Sequence, residues 1–129
     1  MTLPTVIDPN NMLIDPSTLM MDVPFKHEVQ LMRTYVAGTD FVPNIRELVV
    51  DVKEGCRLKL LREPQNPYDS NAIAVMNSDD KRIGYIPKRA NESIAALMDA
   101  GKDLYCGVVS TYISSYGVDV EIKVMMNDL

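Results

Sequence analysis

Histidine, cysteine and surplus basic charge are all scarce in this chain, and each shortage removes a class of function. His27 is the sole imidazole and follows a proline-rich N-terminal stretch, so a surface or capping role suits it better than acid–base catalysis. Cys56 and Cys106 stand fifty residues apart, with His27 as the only further soft ligand. That makes no credible zinc site, and it favours reduced thiols in a cytoplasmic setting over a disulfide. No Walker loop, Gly-x-Ser-x-Gly elbow or His-Glu-x-x-His helix is present. Asp40 and Asp69 offer a conceivable carboxylate pair for metal-assisted hydrolysis, but no further ligands follow at a recognisable spacing. The expectation is a chain without catalytic residues, metal or cofactor. Apolar runs stay well short of a membrane span and no basic start of a signal peptide opens the chain, so no membrane role is expected.

The net charge of −5 disfavours promiscuous binding to polyanions. Its distribution softens that objection. Residues 1–24 hold Asp8, Asp15 and Asp22 and no base, which leaves 13 Lys and Arg against 15 acids in the rest. Capturing a strand end in a pocket needs few phosphate contacts, so such a body could bind modestly and with salt dependence. At 129 residues, 47% hydrophobic and 24% charged, the chain has the size and composition of one globular domain.

The first 24 residues read as an arm, with four prolines and no clear helical or strand period. Met12, Leu13, Ile14, Leu19, Met20 and Met21 suit adaptable docking on the body, a protein partner or a second copy. The domain proper then spans residues 25–129. A strand is expected over Val29–Ala37, with Val29, Leu31 and Tyr35 on one face and Met32 and Val36 on the other. Asn44 and Glu47 have the spacing of a capping box ahead of one or two helical turns, although the valines there equally permit extended chain. Strands follow over Arg57–Glu63, Ala72–Asn77 and Arg82–Ile86. Lys88–Ala100 is a helix with Ala90, Ile94, Leu97 and Met98 on one face and Gly101 as its stop. Leu104–Ile113 and Val118–Met125 form a closing hairpin whose second strand alternates valine and isoleucine with Asp119, Glu121 and Lys123. Six strands and one main helix, placed between strands 4 and 5, suit a mostly β fold closed into a small barrel.

Between Glu63 and Ala72 the chain is built almost wholly from turn formers. Pro64, Asn66, Pro67, Asp69, Ser70 and Asn71 restrict or cap the backbone, so the loop should hold one shape. Tyr68, Asp69 and Asn71 then set a flat ring, a carboxylate and an amide side by side. One reading has Asp69 and Asn71 satisfying loop amides; the other makes them a recognition site. Lys81, Arg82, Lys88 and Arg89 form a basic cluster that is either a solvated rim or a phosphate contact. Tyr105, Tyr112 and Tyr116 read as core or rim.

The run from Arg62 through Pro67-Tyr68-Asp69-Ser70-Asn71 to Val75, followed by Ile83-Gly84-Tyr85-Ile86-Pro87, resembles the signature of the HIRAN domain family. Weaker similarity extends from about Val29 to Met125. The resemblance implies an OB-like six-stranded β-barrel that occurs alone in bacteria and phages or fused to DNA translocases in eukaryotic fork remodellers. It also implies capture of the free 3′ end of single-stranded DNA, in a repair, replication or phage-defence setting. Carried over residue by residue, it makes Phe41, Tyr68, Asp69, Asn71, Tyr85 and Lys88 the nucleic-acid contacts, with Lys81, Arg82 and Arg89 as a phosphate rim. Three departures stand out. Asp40 replaces an arginine of the DNA-binding form and Val42 a second tyrosine, while Tyr85 stands where that form has a histidine. Asp40 and the acidic balance support an alternative, a protein-interaction module on the same scaffold.

Overall fold

The computed structural model describes residues His27–Asp128, so the expected arm over residues 1–24 lies outside the described residues. The alternating apolar and turn-rich stretches become β1 (His27–Tyr35), a 3-10 turn (Thr39–Phe41), α1 (Ile45–Leu48), β2 (Arg57–Arg62), β3 (Ile73–Met76), β4 (Arg82–Tyr85), α2 (Lys88–Asp99), β5 (Asp103–Ser114) and β6 (Gly117–Asp128). One six-stranded sheet runs in the order β1-β6-β5-β2-β3-β4. Just beyond β1, Ala37 exchanges two backbone hydrogen bonds of 2.8 Å with Tyr85 of β4. The two ends of the sheet therefore meet, and the sheet curls into a partly closed, OB-like barrel. Mutual pairing of the ends also covers backbone groups that an open edge would leave bare.

The closure needs Gly84. A Cβ at that position would fall on the Val36 side chain and lie 2.5 Å from the Ala37 carbonyl oxygen. Inside the barrel, β6 turns Val118, Val120, Ile122 and Val124 inward, and Asp119 outward, as the alternation requires. In β3 the run Ile73-Ala74-Val75 is buried on both faces, between β2 and β4. On β1 and just past its end the core face carries Met32, Thr34 and Val36, whereas Val29 and Tyr35 are exposed.

The capping box expected at Asn44 does not form. Asn44 adopts a left-handed φ of 60° with no side-chain cap bond, and α1 is a single turn. The longer helix keeps its phase: Asn91, Ile94 and Ala95 are buried, Leu97 and Met98 are half-buried, and Gly101 at φ 92° ends it. Arg62 ties α2 to the sheet through two bonds to the Asp99 carboxylate, at 2.9 and 3.1 Å. Cys56 and Cys106 are unpaired, and burial pushes the Cys106 thiol up to about 12. Among the described residues no helix is long and apolar enough to cross a membrane.

Candidate nucleic-acid interface

The loop from β2 to β3 holds itself in shape. Asn66 Oδ1 accepts the backbone N–H groups of Tyr68 and Asp69 at 2.9 and 3.1 Å, the Asx turn that asparagine supplies readily. Its Nδ2 donates to Glu63 Oε1 at 3.1 Å. Asp69 Oδ1 then accepts the Asn71 backbone N–H at 2.9 Å, and the Ala72 N–H donates to the Asp69 carbonyl at 3.0 Å. The loop reading of Asp69 is met at one oxygen, which serves the Asn71 amide.

The other oxygen reaches the helix. Asn91 Nδ2 donates to Asp69 Oδ2 at 2.8 Å. The Asn71 amide and then the Asn91 amide hold the Asp69 carboxyl below its ordinary value of 3.8; partial desolvation works against them, and the Lys88 and Arg62 charges assist. The group is a carboxylate at neutral pH, and two accepted bonds leave it further lone pairs.

Tyr85 supplies the facing wall. Its hydroxyl donates to Glu63 Oε1 at 2.9 Å and accepts from Arg82 Nη1 at 3.3 Å, while the guanidinium carbon stands 5.2 Å from the ring centre. Burial, followed by the hydrogen bond to Glu63, raises the Tyr85 pKa, so the phenol keeps its proton. Asn66, Tyr68, Asp69, Ala72, Tyr85 and Asn91 together line a recess of about 250 Å³. At its rim the Tyr68 ring is 89% exposed, a free aromatic face beside a fixed carboxylate. A larger hollow, about 380 Å³, lies beside Val50, Val52 and Ile113, but no comparable hydrogen-bonded carboxylate stands in it. The smaller recess carries the chemistry.

The remaining expected contacts are placed unevenly. Asn71 is half-buried and gives the site its backbone N–H. Lys88 is exposed at the start of α2, near enough for its charge to act on Asp69. Phe41, 87% exposed, projects from the 3-10 turn beside β4 and is not a wall of the recess. Arg89 donates to Thr34 Oγ1 of β1 at 3.4 Å. Lys81 opens β4 from the turn, four residues from Tyr85 and so roughly 13 Å along the strand. The Asp40 carboxylate packs so closely on Gly117 that a Cβ there would lie 2.9 Å from it. Asp69 is held by the Asn71 and Asn91 amides, and Asp40 is not among the residues that line the recess. Among the described residues no group of three or more His, Cys, Asp or Glu gathers as a metal site.

Three wall or support residues were not legible as such: Asn66 as the hub of the loop, Glu63 as the acceptor behind Tyr85, and Asn91. Asn91 did leave a signal. It precedes Ile94 by three and Ala95 by four, so a polar side chain stands in the apolar stripe of α2.

The family model described as the HIRAN domain matches residues 29–127. An Arabidopsis thaliana Fanconi-associated nuclease 1 homolog is 28% identical over 78% of this chain and 11% of its own length. Rabbit helicase-like transcription factor is 48% identical over 53% of this chain and 6% of its own. The chain thus spans about a tenth or less of these curated relatives. A Lactobacillus plantarum protein of known crystal structure superposes with a TM-score of 0.73 at 29% identity, over 81% of this chain and 99% of that one. The HIRAN domain of human helicase-like transcription factor superposes with a TM-score of 0.59 at 22% identity, over 77% and 74% of the two chains.

Proposed function

The chain belongs to the HIRAN domain family, and on that premise we propose that it is a non-catalytic module that binds a single DNA strand by its free 3′-hydroxyl end. The observation that carries this reading is the Asp69 carboxylate, fixed by the Asn71 and Asn91 amides beside the open Tyr68 ring. A pre-oriented carboxylate accepts a hydroxyl donor well and repels a terminal phosphate of up to two negative charges. Tyr68 offers the last base a stacking face, worth about 1–3 kcal/mol per base. Lys88 and Arg82 would meet a phosphate further along the strand. Relatives named as a Fanconi-associated nuclease homolog and a helicase-like transcription factor support a DNA-repair setting.

Fluorescence anisotropy with short single strands tests the proposal. Strands ending in 3′-hydroxyl should bind more tightly than those ending in 3′-phosphate, and Asp69→Asn should narrow the gap by easing repulsion. Equal affinity for both ends, unchanged in Asp69→Asn, refutes the end-binding reading. No saturable binding at low salt favours the protein-interaction module, which the packing of Asp40 on Gly117 already supports by leaving a carboxylate where a cation would serve DNA.

A further inference from the structure

Asn91 carries more than its bond to Asp69. The side chain is 3% exposed and lines the recess, and its Nδ2 donates to Asp69 Oδ2 at 2.8 Å. A carboxylate accepts only, so this bond fixes which end of the amide faces Asp69. The amide oxygen is left one amide's width beyond the carboxylate, and it has no hydrogen-bond partner among the described residues. A buried carbonyl without a partner is costly and therefore uncommon, and it calls for an explanation. Other polar groups of the recess are already engaged: Asn66 by the Tyr68 and Asp69 amides and Glu63, and Tyr85 by Glu63 and Arg82.

We propose that the recess reads a vicinal diol, with Asp69 accepting the 3′-hydroxyl and Asn91 Oδ1 the neighbouring 2′-hydroxyl of a terminal ribose. Two adjacent acceptors match two adjacent donors, and a deoxyribose leaves the second acceptor unfilled. Ala72, 4% exposed, adds only a methyl group to the wall and so leaves room beside the sugar edge. The preferred ligand is then a strand whose last nucleotide is a ribonucleotide. This rests on the reading of Asp69 as the hydroxyl acceptor, and Asn91 becomes a specificity-determining residue of the same site.

Four otherwise identical oligothymidylates, ending in deoxy, ribo, 2′-O-methyl or dideoxy sugars, separate the two claims by anisotropy with the intact chain. The ribo end should bind about tenfold more tightly than the deoxy end, the gain typical of one buried hydrogen bond. The 2′-O-methyl end, which lacks the donor, should lose that gain. Asn91→Ala should bring the ribo and deoxy affinities together. Equal binding of ribo and deoxy ends by the unaltered protein, with the dideoxy end weaker than both, overturns this inference and spares the Asp69 reading. Equal binding of deoxy and dideoxy ends instead overturns the Asp69 reading and this inference with it. Both decisions rest on the unaltered protein and survive a poorly folded variant.

Discussion

At the residue scale, charge in the recess is set by hydrogen bonds, and its pH response follows in sign. Asp69 has a folded pKa below its ordinary 3.8, so it favours the folded state above the unfolded value and loses that contribution as pH falls through the folded one. Tyr85 is shifted the other way, upward from 10.0, and stays neutral. Neither wall group titrates between them, and the DNA-binding form's histidine, which the family resemblance aligns with Tyr85, would have. Preference for 3′-hydroxyl over 3′-phosphate ends should therefore vary only through the phosphate's own ionisation, near pH 6, and 3′-hydroxyl affinity should be flat from about pH 5 to about pH 9. Anisotropy titrations across that range check it. A midpoint inside that range in 3′-hydroxyl binding would point to a different binding surface.

At the element scale, α2 does two jobs with one face. Ile94 is 4% exposed in the barrel core, and Asn91, one turn earlier, supports the recess. Ile94→Ala should cost about 2–5 kcal/mol in chemical denaturation, while Glu92→Ala, exposed on the other side, should change stability by no more than about 0.5 kcal/mol. Similar losses at both positions would show the helix to be in another phase. Leu97 is a weaker probe than its spacing implies, because it is only half-buried. Strong periodicity made α2, the β5–β6 hairpin and the turn-rich loop legible in the sequence, since each is specified by neighbours close along the chain. The capping box at Asn44 failed because its residue types also suit a left-handed turn, and spacing cannot separate the two. Asn91 and Glu63 were illegible for a related reason. Their roles depend on partners twenty-two residues away across the fold, Asp69 and Tyr85 respectively.

At the scale of the whole molecule, barrel closure brings the site together while net charge limits its reach. The paired backbone of Ala37 and Tyr85, permitted by Gly84, fixes the β4 end on which the recess is built. It also sets the 3-10 turn bearing Asp40 and Phe41 beside β4. With a net charge of −5, the chain as a whole repels a polyanion, so affinity must come from local contacts. Lys88 acts on Asp69 through its charge and Arg82 bonds Tyr85; Arg62 is engaged by Asp99 and Ala72, Arg89 bonds Thr34, and Lys59 pairs with Asp80 at 2.7 Å. Two phosphate contacts on a single strand predict a plot of log K against log salt with a slope of roughly −1.4, at about 0.7 per phosphate. Lys88→Ala should reduce the slope by about 0.7 without altering end preference, because that cation meets phosphate and not the terminal sugar. Asp40→Arg should raise affinity and steepen the slope, since it removes one repulsion and adds one attraction on the turn beside β4. Slopes unchanged by both substitutions would put the strand on another face of the barrel, and Asp69 would then be a loop residue alone.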